Sequence, residues 1–360
     1  MNILEIIDDL GFGGAERVLT NLALELSAQG HSVHIACLRS KGESSVTDEE
    51  FRAARVHITE LNKGDGFSIS VVWRLCRYIR RESIDIVHTH NPLVHHYGAL
   101  AARLTGRPVI NTVHGTATLQ MQEWARLLFR SSWRFTARVV SVCQTAADAC
   151  RGLGLAPSKS SVIHNGIQLD GYIGIPISKP NGRFVFGTVG RLVPVKDHGT
   201  LLHAFAQLRA RISSCRLEVL GDGPLLGELR QLAASLGLEH AVKFSGATRD
   251  VAGFLAGVDC FVMSSKSEGL PMSMLEAMAA ARPVVSTSVG AIPELINSAG
   301  CGWLCRSADA ADLEGALRMA VEGNDLPLRG LRARSYVLEN YSAARMADEY
   351  IRLFQQVLHP

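Results

Sequence analysis

Residues 259–287 read DCFVMSSKSEGLPMSMLEAMAAARPVVST. Apolar runs at Asp259–Met263 and Pro283–Thr287 have the length of buried strands. Between them lie a polar loop, a proline and an apolar stretch, Met272–Ala280, long enough for a helix. Pro271 suits a helix start, where its missing N–H is no loss. A parallel pair needs a crossover, commonly a helix, so this unit belongs to a parallel sheet wrapped by helices.

The same alternation extends in both directions from this unit. Strands are predicted at Phe184–Gly190, Arg216–Gly221, Val242–Ser245 and Cys301–Cys305. Helices are predicted at His198–Ala210, Leu225–Leu236 and Asp309–Val321, with a final amphipathic helix at Ser342–Leu358. The first half repeats the pattern, with strands at Ile3–Ile7, Ser32–Cys37, Ile84–His88, Pro108–Val113, Arg138–Val142 and Ser160–His164. Its helices include Glu16–Gln29 and Ile69–Arg81. Between the halves, residues 166–182, GIQLDGYIGIPISKPNG, carry glycine and proline with little periodicity and read as a linker. The expectation is an α/β chain of two Rossmann-like domains, 1–170 and 171–341, facing across a cleft. Ligands in such sheets bind at the carboxyl ends of the strands.

Composition narrows the class. At 360 residues, 47% hydrophobic and 20% charged, the chain has apolar material for two cores and is not disordered. A net charge of +3 is too weak to argue for nucleic acid. The start, MNILEIIDDL, lacks a basic region and reads as a first strand, not a signal peptide. No window reaches the roughly 18 apolar residues of a spanning helix, so the expectation is a soluble or peripheral protein. Eight cysteines show no metal spacing; Cys301 and Cys305 form a lone pair, and the set suits a reducing cytosol.

Chemistry is expected where strands run into loops. Gly11-Phe-Gly13-Gly14-Ala15-Glu16 follows the first strand and opens a helix, which lets backbone N–H groups approach an anion. Glu16 breaks the dinucleotide fingerprint, so a plain strand-to-helix turn is the competing reading. Gly190-Arg191-Leu-Val-Pro-Val-Lys196-Asp197 offers two cations on one loop for a diphosphate; taken alone, the stretch reads rather as two solvated surface cations. Glu268 precedes the helix at Met272 and Glu276 lies within it. Carboxylates in those places suit sugar and ribose hydroxyls, and the N–H groups of the first turn suit phosphate.

His88, His90 and His114 end first-half strands. A metal there would need a carboxylate partner that the motif does not supply; hydrogen-bonded histidines are the commoner outcome, and His114 is the functional candidate by position. In WARLLFRSSWRFTAR, residues 124–138, arginines recur every four residues among aromatics. That pattern suits an anionic membrane surface, or, more economically, a helix with its aromatics inward and its arginines outside. There is no Asp-x-Asp, no Walker A loop and no Gly-x-Ser-x-Gly elbow.

These residues together resemble glycosyltransferase family 4, retaining enzymes of GT-B fold. The most specific element is Glu-x₇-Glu, here Glu268 and Glu276. GGAER at 13–17, VHGT at 113–116, HNGI at 164–167, VGRL with Lys196, and LGDGPL at 220–225 accompany it in order. The resemblance implies that Gly13 and Gly14 approach the donor diphosphate and sugar. It implies that His114 contacts the donor sugar, that Arg191 and Lys196 stabilise the departing diphosphate, that Glu268 holds sugar hydroxyls and that Glu276 binds the ribose diol. Gly269, Leu270, Pro271 and Met272 would line the donor site, with backbone N–H groups from Leu270 and Met272, and Glu294 would support it.

The resemblance further implies a nucleotide-sugar donor, commonly a UDP-sugar, and transfer of a hexose to a glycan or lipid-linked acceptor in polysaccharide or lipopolysaccharide synthesis. It implies same-face attack without a metal or other cofactor. The first domain would hold the acceptor, with helix 342–358 packed back on it. The site of action would be cytoplasmic, including the inner face of the membrane. A nucleotide-sugar epimerase, a dehydrogenase and an inactive sugar-binding partner are the competing readings. Asp197 stands where the family often has Gly, and Gln168 where an acid is common.

Overall fold

The computed structural model describes residues 1–11, 13–40, 48–119, 121–178, 180 and 182–359. They form two compact units, Met1–Ile167 with Ala343–Pro360, and Gln168–Ser342.

The first unit is built on seven strands: β1 (Asn2–Ile7), β2 (Ser32–Cys37), β3 (His57–Glu60), β4 (Ile86–His90), β5 (Val109–Val113), β6 (Arg138–Ser141) and β7 (Ser160–Val162). All pair in parallel, in the order β3-β2-β1-β4-β5-β6-β7. β4 and β5 are buried along their whole length, as expected of central strands covered on both faces. Helix Gly14–Ala28 turns Val18, Leu19, Leu22, Ala23 and Leu26 inward at helical spacing. The final helix, Ala343–Leu358, belongs to this unit: Ala343 N–H donates to the Ile167 carbonyl at 2.9 Å, and Tyr350 and Phe354 are buried.

The second unit holds β8 (Phe184–Val189), β9 (Cys215–Leu220), β10 (Val242–Phe244), β11 (Cys260–Met263), β12 (Val284–Thr287) and β13 (Gly302–Cys305). These are again parallel, in the order β10-β9-β8-β11-β12-β13. Phe186, Phe205, Leu217, Val262 and Val285 lie in one core cluster.

Both sheets have the doubly wound order. The chain steps outward from the first strand, then returns to its other side, so β1 adjoins β4 and β8 adjoins β11. The loops leaving those strand pairs diverge, which opens a binding crevice at their carboxyl ends.

Some elements differ from the sequence reading. β4 runs two residues later than expected, so His88 and His90 lie within it. β3 was not predicted; it is a four-residue edge strand with no buried residue, and so carries no apolar alternation. All eight cysteines are buried thiols. Among the described residues no helix is long and apolar enough to cross a membrane.

Candidate active site

In the second unit, two loops stand side by side because β8 and β11 are neighbours. After β8 the chain passes Gly190 and Arg191 into a short 3-10 turn, Pro194–Lys196. After β11 it runs through Ser264–Leu270 into helix Met272–Ala279. Lys266 N–H donates to the Val195 carbonyl at 2.8 Å, and Ser264 Oγ donates to the Lys196 carbonyl at 3.0 Å. The side chains meet as well. Lys196 Nζ donates to Glu268 Oε1 at 2.5 Å, and Ser265 Oγ donates to the same oxygen at 2.6 Å. Thr287 Oγ1 on β12 fixes the Ser265 carbonyl at 2.7 Å.

An ammonium carries three donors, so one bond to Glu268 leaves capacity for an incoming anion. Helix Met272–Ala279 begins next to this pair, with Pro271 at its cap. Its first-turn N–H groups lack intrahelical acceptors, and its dipole favours negative charge there. Gly269, Leu270, Pro271 and Met272 are buried, as is Glu276 one turn into the helix. Arg191 is exposed and makes no ion pair among the described residues. Glu294 is exposed in the first turn of helix Ile292–Ala299. Asp197 takes the left-handed conformation, φ 50° and ψ 44°. It thus holds the backbone shape that a glycine would supply, which Asp tolerates better than most residues.

In the first unit, Gly13 caps helix Gly14–Ala28, and the Glu16 carboxylate folds over it where a side chain would collide. His114 follows β5. A 2.9 Å contact joins its Nε2 to His90 Nδ1. His90 Nε2 is 2.8 Å from Glu5 Oε2, and His88 Nδ1 is 2.8 Å from the same oxygen. On its other side His88 Nε2 is 2.8 Å from Thr112 Oγ1, which is 2.8 Å from Tyr350 Oη. Glu5, His88 and His90 are fully buried. Burial opposes ionisation of Glu5, but the two histidines outweigh it and hold the carboxyl at about 2. Burial lowers His90 to about 4 and drives His114 well below its ordinary value, with neighbouring histidines adding to both.

Glu5 is thus the carboxylate that the histidine motif alone did not supply. Among the described residues, Glu5, His88 and His90 are the set close enough to share a metal ion. The spacing speaks for a proton between His90 and Glu5 instead: 2.8 Å from His90 Nε2 to Glu5 Oε2 is a hydrogen bond, whereas ligands of a tetrahedral zinc stand about 3.3 Å apart. A hollow of about 450 Å³ beside Arg103, Pro108 and Phe135 opens at the amino end of β5, away from His114.

Two family models match in tandem, Glycosyltransferase Family 4 over residues 12–170 and Glycosyl transferases group 1 over residues 176–333. The chain belongs to glycosyltransferase family 4. N-acetyl-α-D-glucosaminyl L-malate synthase of Bacillus anthracis is 25% identical over 96% of this chain and 94% of its own length. UDP-Gal:α-D-GlcNAc-diphosphoundecaprenol α-1,3-galactosyltransferase of Escherichia coli is 24% identical over 95% and 93%. Anabaena HepE, solved with UDP and glucose, superposes with a TM-score of 0.85 at 19% identity over 99% of both chains. That likeness shows the GT-B fold.

This family 4 glycosyltransferase also holds residues that the motifs did not reveal. Ser265 sits in a serine-rich loop that gives no hint of its bond to Glu268. Glu5 had a signal: it is the one acid within an apolar first strand, Asn2–Ile7. The arginine stripe is shorter than it reads. Helix Glu123–Ser132 ends before Arg134, and Arg138 begins β6. Nor do the aromatics all turn inward. Phe129 and Trp133 are buried, but Trp124 is 62% and Leu127 59% exposed, and Leu128 and Phe135 are exposed as well.

Proposed function

We propose that this glycosyltransferase retains anomeric configuration and moves a hexose from a nucleoside-diphosphate sugar, preferentially a UDP-sugar, to a glycan or lipid-linked acceptor of a cell-surface polysaccharide. The observation that carries this reading is the Lys196–Glu268 pair at the head of helix Met272–Ala279. A cation and the helix N-terminus face one anion, and a carboxylate beside them faces hydroxyls. The names of the relatives support UDP and a lipid diphosphate: the Escherichia coli relative uses UDP-Gal and diphosphoundecaprenol, and HepE was solved with UDP.

In this scheme the bond from the anomeric carbon to the β-phosphate oxygen breaks, and its electron pair stays on the diphosphate. Lys196 and Arg191 neutralise that charge, and the first-turn N–H groups of Met272 and its neighbours hold the phosphate. Fixed donors act without reorganisation, which is the main source of electrostatic catalysis. Glu268 accepts from sugar hydroxyls with Gly269, Leu270 and Pro271 shaping the wall, and Glu276 accepts from the ribose diol. Gly13 and Gly14 let backbone approach the donor. His114 bonds a donor-sugar hydroxyl. The acceptor oxygen attacks the same face as the leaving group departs, and its proton passes to the leaving phosphate. No metal is required in this scheme.

The first unit would bind the acceptor and touch an anionic membrane through residues 124–138. Exposed Trp124, Leu127 and Leu128, with exposed Arg130 and Arg134, support this contact. Incubation with a panel of UDP-hexoses and a lipid-diphosphate glycan, read by NMR of the product's anomeric proton, tests the reaction. An axial-to-axial or equatorial-to-equatorial outcome is expected. Inversion, or epimerised donor without transfer, refutes it.

A further inference from the structure

Glu5, His90 and His114 form a line of contacts from β1 through β4 to the end of β5, each step 2.8–2.9 Å. The proton positions along it follow from chemistry. An ionised carboxylate only accepts, so the His90 nitrogen facing Glu5, Nε2, carries a proton. A neutral imidazole has one proton, so His90 Nδ1 is bare and accepts. The nitrogen facing it, His114 Nε2, therefore donates. A neutral His114 is then left with a bare Nδ1, and that atom is buried with no hydrogen-bond partner among the described residues.

We propose that Glu5 and His90 are positioning residues that lock His114 in one tautomer, with its proton on Nε2 and its lone pair on Nδ1. His114 then offers a ligand hydroxyl an acceptor and never a donor. The hydroxyl's being a sugar's rests on the glycosyltransferase reading above; the tautomer does not. A second branch steadies the line. Glu5 also faces His88, which Thr112 links to Tyr350 on the final helix. The last helix of the chain thereby buttresses the carboxylate.

The tautomer that these contacts impose on His114 is measurable. The experiment is long-range proton–nitrogen NMR of the full chain labelled at histidine, with His114 assigned through His114→Gln. The expected spectrum shows a protonated Nε2 and an unprotonated Nδ1 at His114 near neutral pH. In Glu5→Gln the fixed tautomer gives way to a mixture. Thr112→Val cuts only the Tyr350 branch and keeps it.

A proton on His114 Nδ1 in the unaltered protein overturns the proposal. So does a Glu5→Gln spectrum identical to the parent's, or a stoichiometric metal on purified protein, which would displace those protons. Should Glu5→Gln fail to fold, the parent spectrum decides alone. A protein that binds no nucleotide-sugar but shows this tautomer would refute the sugar reading and leave the lock standing.

Discussion

Gly290 stands directly behind Glu268. Its φ is 59°, and a Cβ there would collide with the carbonyl oxygens of Glu268 and Gly269. The next residue, Ala291, donates its N–H to the Gly269 carbonyl at 3.0 Å. The loop that presents Glu268 is thus seated against a position that only glycine fills.

Gly290→Ala is expected to cost about 2 kcal/mol or more, because the left-handed backbone alone costs about 1–2 kcal/mol for a residue with a Cβ and the collision adds to it. Urea unfolding measures that loss. The same variant should bind its nucleotide at least tenfold more weakly in calorimetric titration, because Glu268 and the helix start move together.

Asp197 makes a finer test. Its carboxylate accepts from Thr200 Oγ1 at 2.9 Å and lies 3.5 Å from Lys266 Nζ. Asp197→Gly exchanges these contacts for a relaxed backbone, so stability should change by less than about 1 kcal/mol. Asp197→Val loses the contacts and adds strain in a β-branched residue, so a loss of about 2 kcal/mol is expected. Equal melting temperatures for the two variants would contradict the account.

Much of this was legible in the chain. Apolar runs of strand length separated by helical patterns gave the doubly wound order its elements, and Glu268, Glu276 and Lys196 sat in motifs with fixed spacing. What stayed hidden depends on contacts between distant segments. Ser265 meets Glu268 only because the loop doubles back. Glu5 meets His88 and His90 only because β1 and β4 are neighbours, although 83 residues separate Glu5 from His88 in sequence. The arginine period across 126–138 misled because it continues through the end of a helix into a strand.

Stability should fall in acid over a defined window. Burial lowers His90 to about 4, His95 to about 3 and His198 to about 4. Each folded value lies below the unfolded one near 6.5. Below that pH the unfolded chain binds protons that the folded chain refuses, so stability is full above about 6.5 and is lost as pH drops toward 4. The three protons of His90, His95 and His198 alone give a slope of about 4 kcal/mol per pH unit at its steepest, and His114, which burial also holds well below its ordinary value, adds to it. Glu5, held at about 2, extends the loss below its unfolded value of 4.5. Urea midpoints that stay constant from neutral pH to about 5 would contradict this.

Membrane contact has its own readout. The protein should cosediment with vesicles rich in anionic lipid and release as salt rises. Replacing both Trp124 and Leu127 with Ala removes two exposed apolar side chains, each worth on the order of 1.5 kcal/mol or more when buried, so partitioning should drop at least tenfold. Unchanged partitioning would move the contact elsewhere.

The proposed scheme has Lys196 hold a nucleoside diphosphate without a metal. Its most direct test is thermal unfolding with UDP, GDP, ADP, CMP and NAD, with and without EDTA, for the parent protein and Lys196→Ala. One nucleoside diphosphate should raise the parent's melting temperature, since a ligand at a hundred times its dissociation constant adds about 2.7 kcal/mol. That rise should survive EDTA and shrink in Lys196→Ala, whose turnover should fall a hundredfold or more, about 2.7 kcal/mol in barrier. A response to NAD alone, a response abolished by EDTA, or a Lys196→Ala variant that behaves like the parent would contradict the account.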